Sequence, residues 1–257
     1  MWPGCTYRDG EPTHSLSRSL SFPLSLSLPL SLPLSLPLHQ LTRAVRSFAR
    51  YDRPAIMDVK IGMRTWYQHA PTDYIAKCKV KDADTTQSSL GFKICGMQVY
   101  RHSLQGFWRA SKQWCKTLTA ASVDTALESF VHNEGGLRAV DVYGGPHGVV
   151  RQLEQLEQWV SHQTEFQFFS SSVLILYEGS STGGEALDSL NALNVSVRLV
   201  DFAHTFVHEL QCRGGVDGVD GVDGVQPTMR SERDENFLKG LRGLRRRLVA
   251  ICNREEE

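Results

Sequence analysis

Apolar residues recur along this chain with two different periods, and the switches between them mark out the elements of a mixed domain. Residues 54–61 (PAIMDVKI) and 90–100 (LGFKICGMQVY) are rich in apolar and β-branched residues and bounded by Gly or Pro, which predicts strands. Residues 72–82 open on Thr72 and Asp73, an N-cap-like start that predicts a short helix carrying Lys77. Segments 119–132 and 149–164 place apolar residues at helical spacing, with Val149, Leu153, Leu156 and Val160 along one face of the second. The runs 173–177 and 195–202 have the length of buried strands. Residues 236–252 predict a basic helix with Phe237, Leu238, Leu241, Leu244 and Leu248 on its apolar side. Strand, helix, strand, helices, two strands and a helix, in that order, predict an α+β fold rather than repeating βαβ units.

Two tracts stand outside this pattern. Residues 15–38 are almost entirely Ser, Leu and Pro, and prolines at 23, 29, 33 and 37 would remove helix donors and clash with preceding turns. The tract is therefore neither a membrane span nor an ordinary signal segment. Its Ser-Leu alternation is what a CT-rich repeat would encode, so residues 1–42 are expected to be a disordered translated leader or a mispredicted first exon. Three Val-Asp-Gly units over 216–224 lack the ligand spacing and closing glutamate of an EF-hand loop and read as an exposed expansion within a flexible insertion at 213–232. What remains is one domain over 43–252 and an acidic tail at 253–257.

Composition narrows the classes of function. The 257 residues can bury a sizeable core, and 28 Lys plus Arg against 28 Asp plus Glu leave no excess of positive charge to displace counterions from a nucleic acid. No nucleic-acid partner is expected, and any anionic ligand must be gripped locally. Six cysteines (Cys5, Cys78, Cys95, Cys115, Cys212, Cys252) without a CxxC pair argue against a disulfide framework or structural zinc, and for a reduced compartment.

Polar residues inside the apolar strands are where chemistry is to be sought. In IMDVKIG, Asp58 and Lys60 are two residues apart and so share one face of the strand. Opposite charges on a buried-looking strand are costly unless they pair with each other or bind something, and both solutions satisfy the sequence. In VRLVDFAHT, Asp201 ends an apolar strand and His204 follows in the turn. A carboxylate there either holds Mg²⁺ against a phosphate oxygen or is a satisfied turn residue beside a core histidine.

Pro54, Asp58, Lys60 and Gly62 fit a PxxxDxKxG signature, and later blocks follow in order: SLGFKICGM at 89–97, SSSVLILYE at 170–178, VDFAHT at 200–205 and DENFLKGL at 234–241. With these blocks the chain resembles the inositol polyphosphate kinases. DVKIGMRTWY, the DADTTQSSLGF stretch, and VYGGPHG followed by QLEQLEQWVSHQT look most like the plant-type multikinases.

The resemblance implies the C-terminal lobe of a distantly protein-kinase-like fold and ATP- and Mg²⁺-dependent phosphorylation of hydroxyls on inositol tris- and tetrakisphosphates. It places Asp58 at the nucleotide and the attacking hydroxyl, and Lys60 between the inositol phosphate and the transferred phosphoryl group. Asp201 would carry Mg²⁺ with Ser172 nearby, while His204, Arg64 and Lys77 would contact the inositol phosphate. Arg109, Lys112 and Lys116 could extend that basic wall, whereas the Arg242–Arg247 cluster reads as a solvated helix face. Inositol phosphates and ATP are the expected partners of a monomer in nucleus and cytoplasm, with no membrane span.

One departure from the family pattern bears on activity. Residues before Arg50 show neither the strands of an N-terminal lobe nor a hinge acid, Val45 and Arg46 standing where one is expected. A non-catalytic lobe that binds inositol phosphates or a protein is therefore the alternative.

Overall fold

The computed structural model describes residues 51–183, 193–207 and 232–257. The leader, the hinge positions and the Val-Asp-Gly units lie outside the described residues.

Five antiparallel strands form the central sheet: β1 (Pro54–Ile61), β2 (Phe92–Arg101), β3 (Gly106–Ala110), β5 (Ser172–Glu178) and β6 (Ser196–Val200), in the spatial order β3-β2-β1-β5-β6. A separate pair joins β4 (Phe166–Phe168) to β7 (Thr205–Val207). The helices are α1 (Thr72–Ala83), α2 (Gln87–Leu90), α3 (Lys112–Thr117), α4 (Val123–Val131), α5 (Ala139–Tyr143), α6 (Val149–His162) and α7 (Glu235–Glu256).

The period-2 pattern of β1 splits the two faces of the sheet. Ala55, Met57, Val59 and Ile61 are fully buried on one side, where they meet Leu127, Leu153, Leu156, Phe237, Leu241 and Leu244 from α4, α6 and α7. Pro54, Ile56, Asp58 and Lys60 point to the other side, where a small apolar patch of Leu174, Leu176 and Val200, flanked by Tyr51 and Ile56, is the neighbouring surface. One face therefore supplies most of the hydrophobic stabilisation, and the other carries the polar pair Asp58 and Lys60 beside its smaller apolar patch.

Each long predicted element is present, and the differences are local. Pro71, not Thr72, occupies the N-cap of α1 and offers no side-chain acceptor. Leu90 belongs to α2, and left-handed Gly91 turns the chain into β2. The short β3, α2, α3 and α5 and the β4–β7 pair were not predicted, because three to six residues hold too little of any period to stand out.

The predicted solvated face of the last helix is instead a bracket. Arg242 and Arg245 donate from Nε to the two oxygens of Glu157 on α6 at 2.7 and 2.9 Å, and Arg247 reaches Asp124 on α4 at 3.0 Å. The acidic tail continues α7 to Glu256, and Glu255 accepts a hydrogen bond from the Val140 N–H at the start of α5. Burial works against the Glu157 carboxylate, but the two arginines outweigh it and hold its pKa below the ordinary 4.5. A depressed carboxylate contributes stability that is present above its unfolded value and lost as pH falls through the folded one. Glu157→Gln should accordingly lower Tm by about 2–4 °C at pH 7, the cost of about 1 kcal/mol for a partly exposed pair. Thermal melts at pH 7 and pH 3 check this: the deficit should shrink at the lower pH.

Candidate active site

β1 carries the centre of the site because it is the middle strand. Asp58 lies opposite Leu174 on β5 and Gly96 on β2, and Lys60 lies opposite Ser172 and Lys93. The register against β2 shifts between Asp58 and Val59, a bulge that leaves Cys95 as the extra residue beside the pair. Gly62 then turns the chain at φ 113°, where a Cβ would come within 2.7 Å of the Asn236 amide nitrogen. No other residue type fits that turn without strain.

Asp58 and Lys60 share a face, as the alternation predicts, but they have different partners. The Asp58 carboxylate takes a hydrogen bond from Ser172, while its Oδ1 is out of solvent with no hydrogen-bond partner. Burial is the largest influence on this group and the nearby Asp201 adds to it. Together they outweigh Ser172 and Lys60 and push its pKa above the ordinary 3.8. The Lys60 ammonium donates to the Ser170 carbonyl and stands 3.6 Å from Asp201 Oδ2. Asp201 follows β6 in a left-handed conformation, φ 65°, with its own carbonyl accepting from Ser171 Oγ at 2.8 Å. Burial and the Asp58 charge push the Cys95 thiol up to about 11, so it stays neutral beside the pair and is no nucleophile.

The remaining predicted residues ring this centre unequally. His204 packs its ring against Tyr67 and Tyr74, at 5.8 and 6.0 Å between centroids, and its carbonyl accepts from the Phe169 N–H. Arg64 lies over the rings of Trp66 and Phe169, at 4.8 and 5.7 Å, with its Nε out of solvent and unpartnered. Its backbone is clamped by Asn236, which accepts from the Arg64 N–H at 3.0 Å and donates to the Arg64 carbonyl at 3.1 Å. Lys77 instead faces solvent on α1 and, among the described residues, pairs with Asp73 at 3.5 Å. Arg109 sits on the far edge strand, with its Nε bonded to Gln98 at 2.8 Å.

Among the described residues no group of three His, Cys, Asp or Glu side chains could hold a metal by itself. Mg²⁺ is commonly held by one or two carboxylates with phosphate oxygens and water completing its shell. Half-exposed Asp201, with the orphaned Asp58 oxygen close by, fits that pattern.

Sequence reasoning missed Ser170, Tyr67, Tyr74 and Asn236. Ser170 and Asn236 stand in blocks already singled out, yet nothing in a one-dimensional pattern shows a serine's carbonyl facing a lysine. Tyr67 closes the DVKIGMRTWY block but carried no role there, and Tyr74 lay in a segment read only for helix signals.

Comparison with known proteins gives the family and the fold. The family model for inositol polyphosphate kinase matches residues 46–249, and the chain belongs to that family. It is 39% identical over 163 residues to inositol polyphosphate multikinase beta of Arabidopsis thaliana, covering 60% of this chain and 54% of that protein. To the multikinase IPK2 of Oryza sativa subsp. japonica it is 37% identical over 156 residues, 59% of this chain and 52% of the relative. Mouse inositol hexakisphosphate kinase 3 is 34% identical over 165 residues, 61% and 40% of the two chains. The chain thus spans about half the length of the plant relatives it matches.

Among solved structures, an inositol phosphate multikinase superimposes with a TM-score of 0.65 at 33% identity, over 79% of this chain and 82% of that one. Ipk2 of S. cerevisiae, solved in complex with ADP and Mn²⁺, shares the fold with a TM-score of 0.61 at 21% identity, over 79% and 80% of the chains. The α+β fold is therefore that of the inositol phosphate multikinases. No described helix is long and apolar enough to cross a membrane.

Proposed function

We propose that the protein transfers the γ-phosphoryl group of ATP to a hydroxyl of an inositol tris- or tetrakisphosphate, with Mg²⁺. One observation carries this beyond family membership: a buried carboxylate with an unpartnered oxygen, an ammonium and a second carboxylate converge on the face of the sheet opposite the main core. Phosphoryl transfer asks for little else, since its catalysis is mostly positioning and charge compensation.

In this reading Asp58 orients the attacking hydroxyl and takes its proton as the new O–P bond forms and the bond to ADP breaks. A raised pKa brings that carboxylate closer to the pH at which it works. Lys60 sets a positive charge against the phosphoryl group while it changes partners, and Ser172 holds Asp58 in place. Asp201 is the residue that would hold Mg²⁺, whose charge offsets that of the ATP phosphates. Arg64, His204 and Lys77 contact the inositol phosphate; Lys77 would swing from Asp73 to do so.

The test is incubation of the purified chain with inositol trisphosphate, Mg²⁺ and γ-labelled ATP. Label should appear in an inositol phosphate bearing one more phosphate. Calorimetric binding of inositol trisphosphate without transfer of label would overturn the kinase reading and favour a binding lobe.

A further inference from the structure

The Lys60 side chain has four rotatable bonds and would lose rotamer entropy if it worked alone as a positioned charge. What holds its ammonium is a main-chain carbonyl, that of Ser170, in addition to Asp201. Ser170 is itself in a left-handed conformation, φ 57°, which a non-glycine residue keeps only when its surroundings hold it there.

Those surroundings form a continuous chain. Ser170 Oγ donates to the Thr65 carbonyl at 3.1 Å, and the Tyr74 hydroxyl hydrogen-bonds to the Ser170 side chain. Thr65 in turn gives both its donors to one carboxylate: its N–H reaches Asp82 Oδ2 at 2.8 Å, and its hydroxyl reaches Oδ1 and Oδ2 at 2.9 and 3.1 Å. Thr65 is 5% exposed in the loop before α1 and Asp82 3% exposed within it, where its helix neighbours Lys81 and Ala83 face solvent. A carboxylate buried at that depth with a threonine as its partner is expensive merely to close a helix against a loop.

We propose that Asp82, Thr65 and Ser170 form a strut that positions the Lys60 ammonium, so that Asp82 is a positioning residue acting through two others. Its effect on turnover rests on the kinase reading above; its effect on Lys60 does not. α1 thereby contributes to the site from its buried face, independently of what Lys77 does on its exposed one.

The experiment compares the parent chain with Asp82→Asn and Ser170→Ala, the second guarding against a misfolded first. Two quantities are read: kcat and KM for ATP, and the rate at which an amine-acylating reagent modifies Lys60 relative to Lys77, followed by peptide mass spectrometry. Each variant should lower kcat about tenfold with KM for ATP within about twofold, and speed Lys60 acylation about fivefold, the scale of one lost buried hydrogen bond. Thr65→Ser, which keeps both donors, should behave like the parent. In a Lys60→Ala background Asp82→Asn should cost no further kcat, whereas a merely structural residue would still lower it. An unchanged Lys60 acylation rate in a folded variant overturns the strut. If the parent transfers no phosphate the kinase reading fails in that assay, and the strut is still judged, for or against, by the acylation rate.

Discussion

Asp58→Asn should lower turnover by about 10² or more and at the same time make the protein more stable. Both effects come from the same carboxylate. Its Oδ1 is out of solvent with no hydrogen-bond partner, and the balance of its surroundings favours the protonated form. An acid whose folded pKa is raised contributes its full stability below the unfolded value, and loses it as pH rises through the folded value. At neutral pH the ionised group is therefore a burden on the fold. Asparagine keeps the shape, can still accept from Ser172 and carries no charge, but it cannot take a proton from a hydroxyl. A gain of about 1 kcal/mol, or about 2–4 °C in Tm, is expected at pH 7 without nucleotide or cation. The gain should vanish below the ordinary carboxylate range, where aspartate is also neutral. Melts at pH 7 and pH 3, paired with the labelled-ATP assay, separate the two effects. A variant that is less stable at pH 7 would mean that Lys60 and Ser172 more than compensate the buried charge, and retained turnover would remove Asp58 from the chemistry.

That trade of stability for function was partly legible in the sequence. The PxxxDxKxG pattern and the alternation of β1 were enough to put Asp58 and Lys60 on one face, and the apolar run before Asp201 put a carboxylate at the end of another strand, β6. Helix periodicity likewise found the buried stripes of α6 and α7, since Leu153, Leu156, Leu241 and Leu244 are set by local spacing. What the sequence could not show was pairing across long separations. Arg242 and Arg245 look the same on paper whether they meet water or Glu157, and only the packing of α7 on α6 decides it. Asp82 and Thr65 are 17 residues apart, and Ser170 lies 105 beyond Thr65. A chain of contacts with those spacings has no periodicity to detect. The bulge at Cys95 is similar: one extra residue in β2, invisible until β1 is laid beside it.

Asp201→Asn should abolish cation-dependent turnover, a fall of about 10³ or more, while leaving the fold almost untouched. The backbone makes this variant informative. Asp201 sits at φ 65°, a conformation that asparagine tolerates at least as well as aspartate because its short polar side chain hydrogen-bonds locally. The carbonyl that accepts from Ser171 Oγ is unchanged by the substitution, so β6 should still hand over to the turn bearing His204 as before. Lys60 keeps the Ser170 carbonyl, and the lost ion pair is half-exposed on the Asp201 side and contributes little to stability. Tm should therefore move by less than about 2 °C. Asp201→Ala gives the contrast: the same loss of turnover, plus about 1 kcal/mol of backbone strain from placing alanine at a positive φ. Turnover that survives Asp201→Asn would take the cation-holding role away from this residue. Equal stability of the Asn and Ala variants would show that the left-handed turn carries no strain, and that Asp201 occupies it for its charge alone.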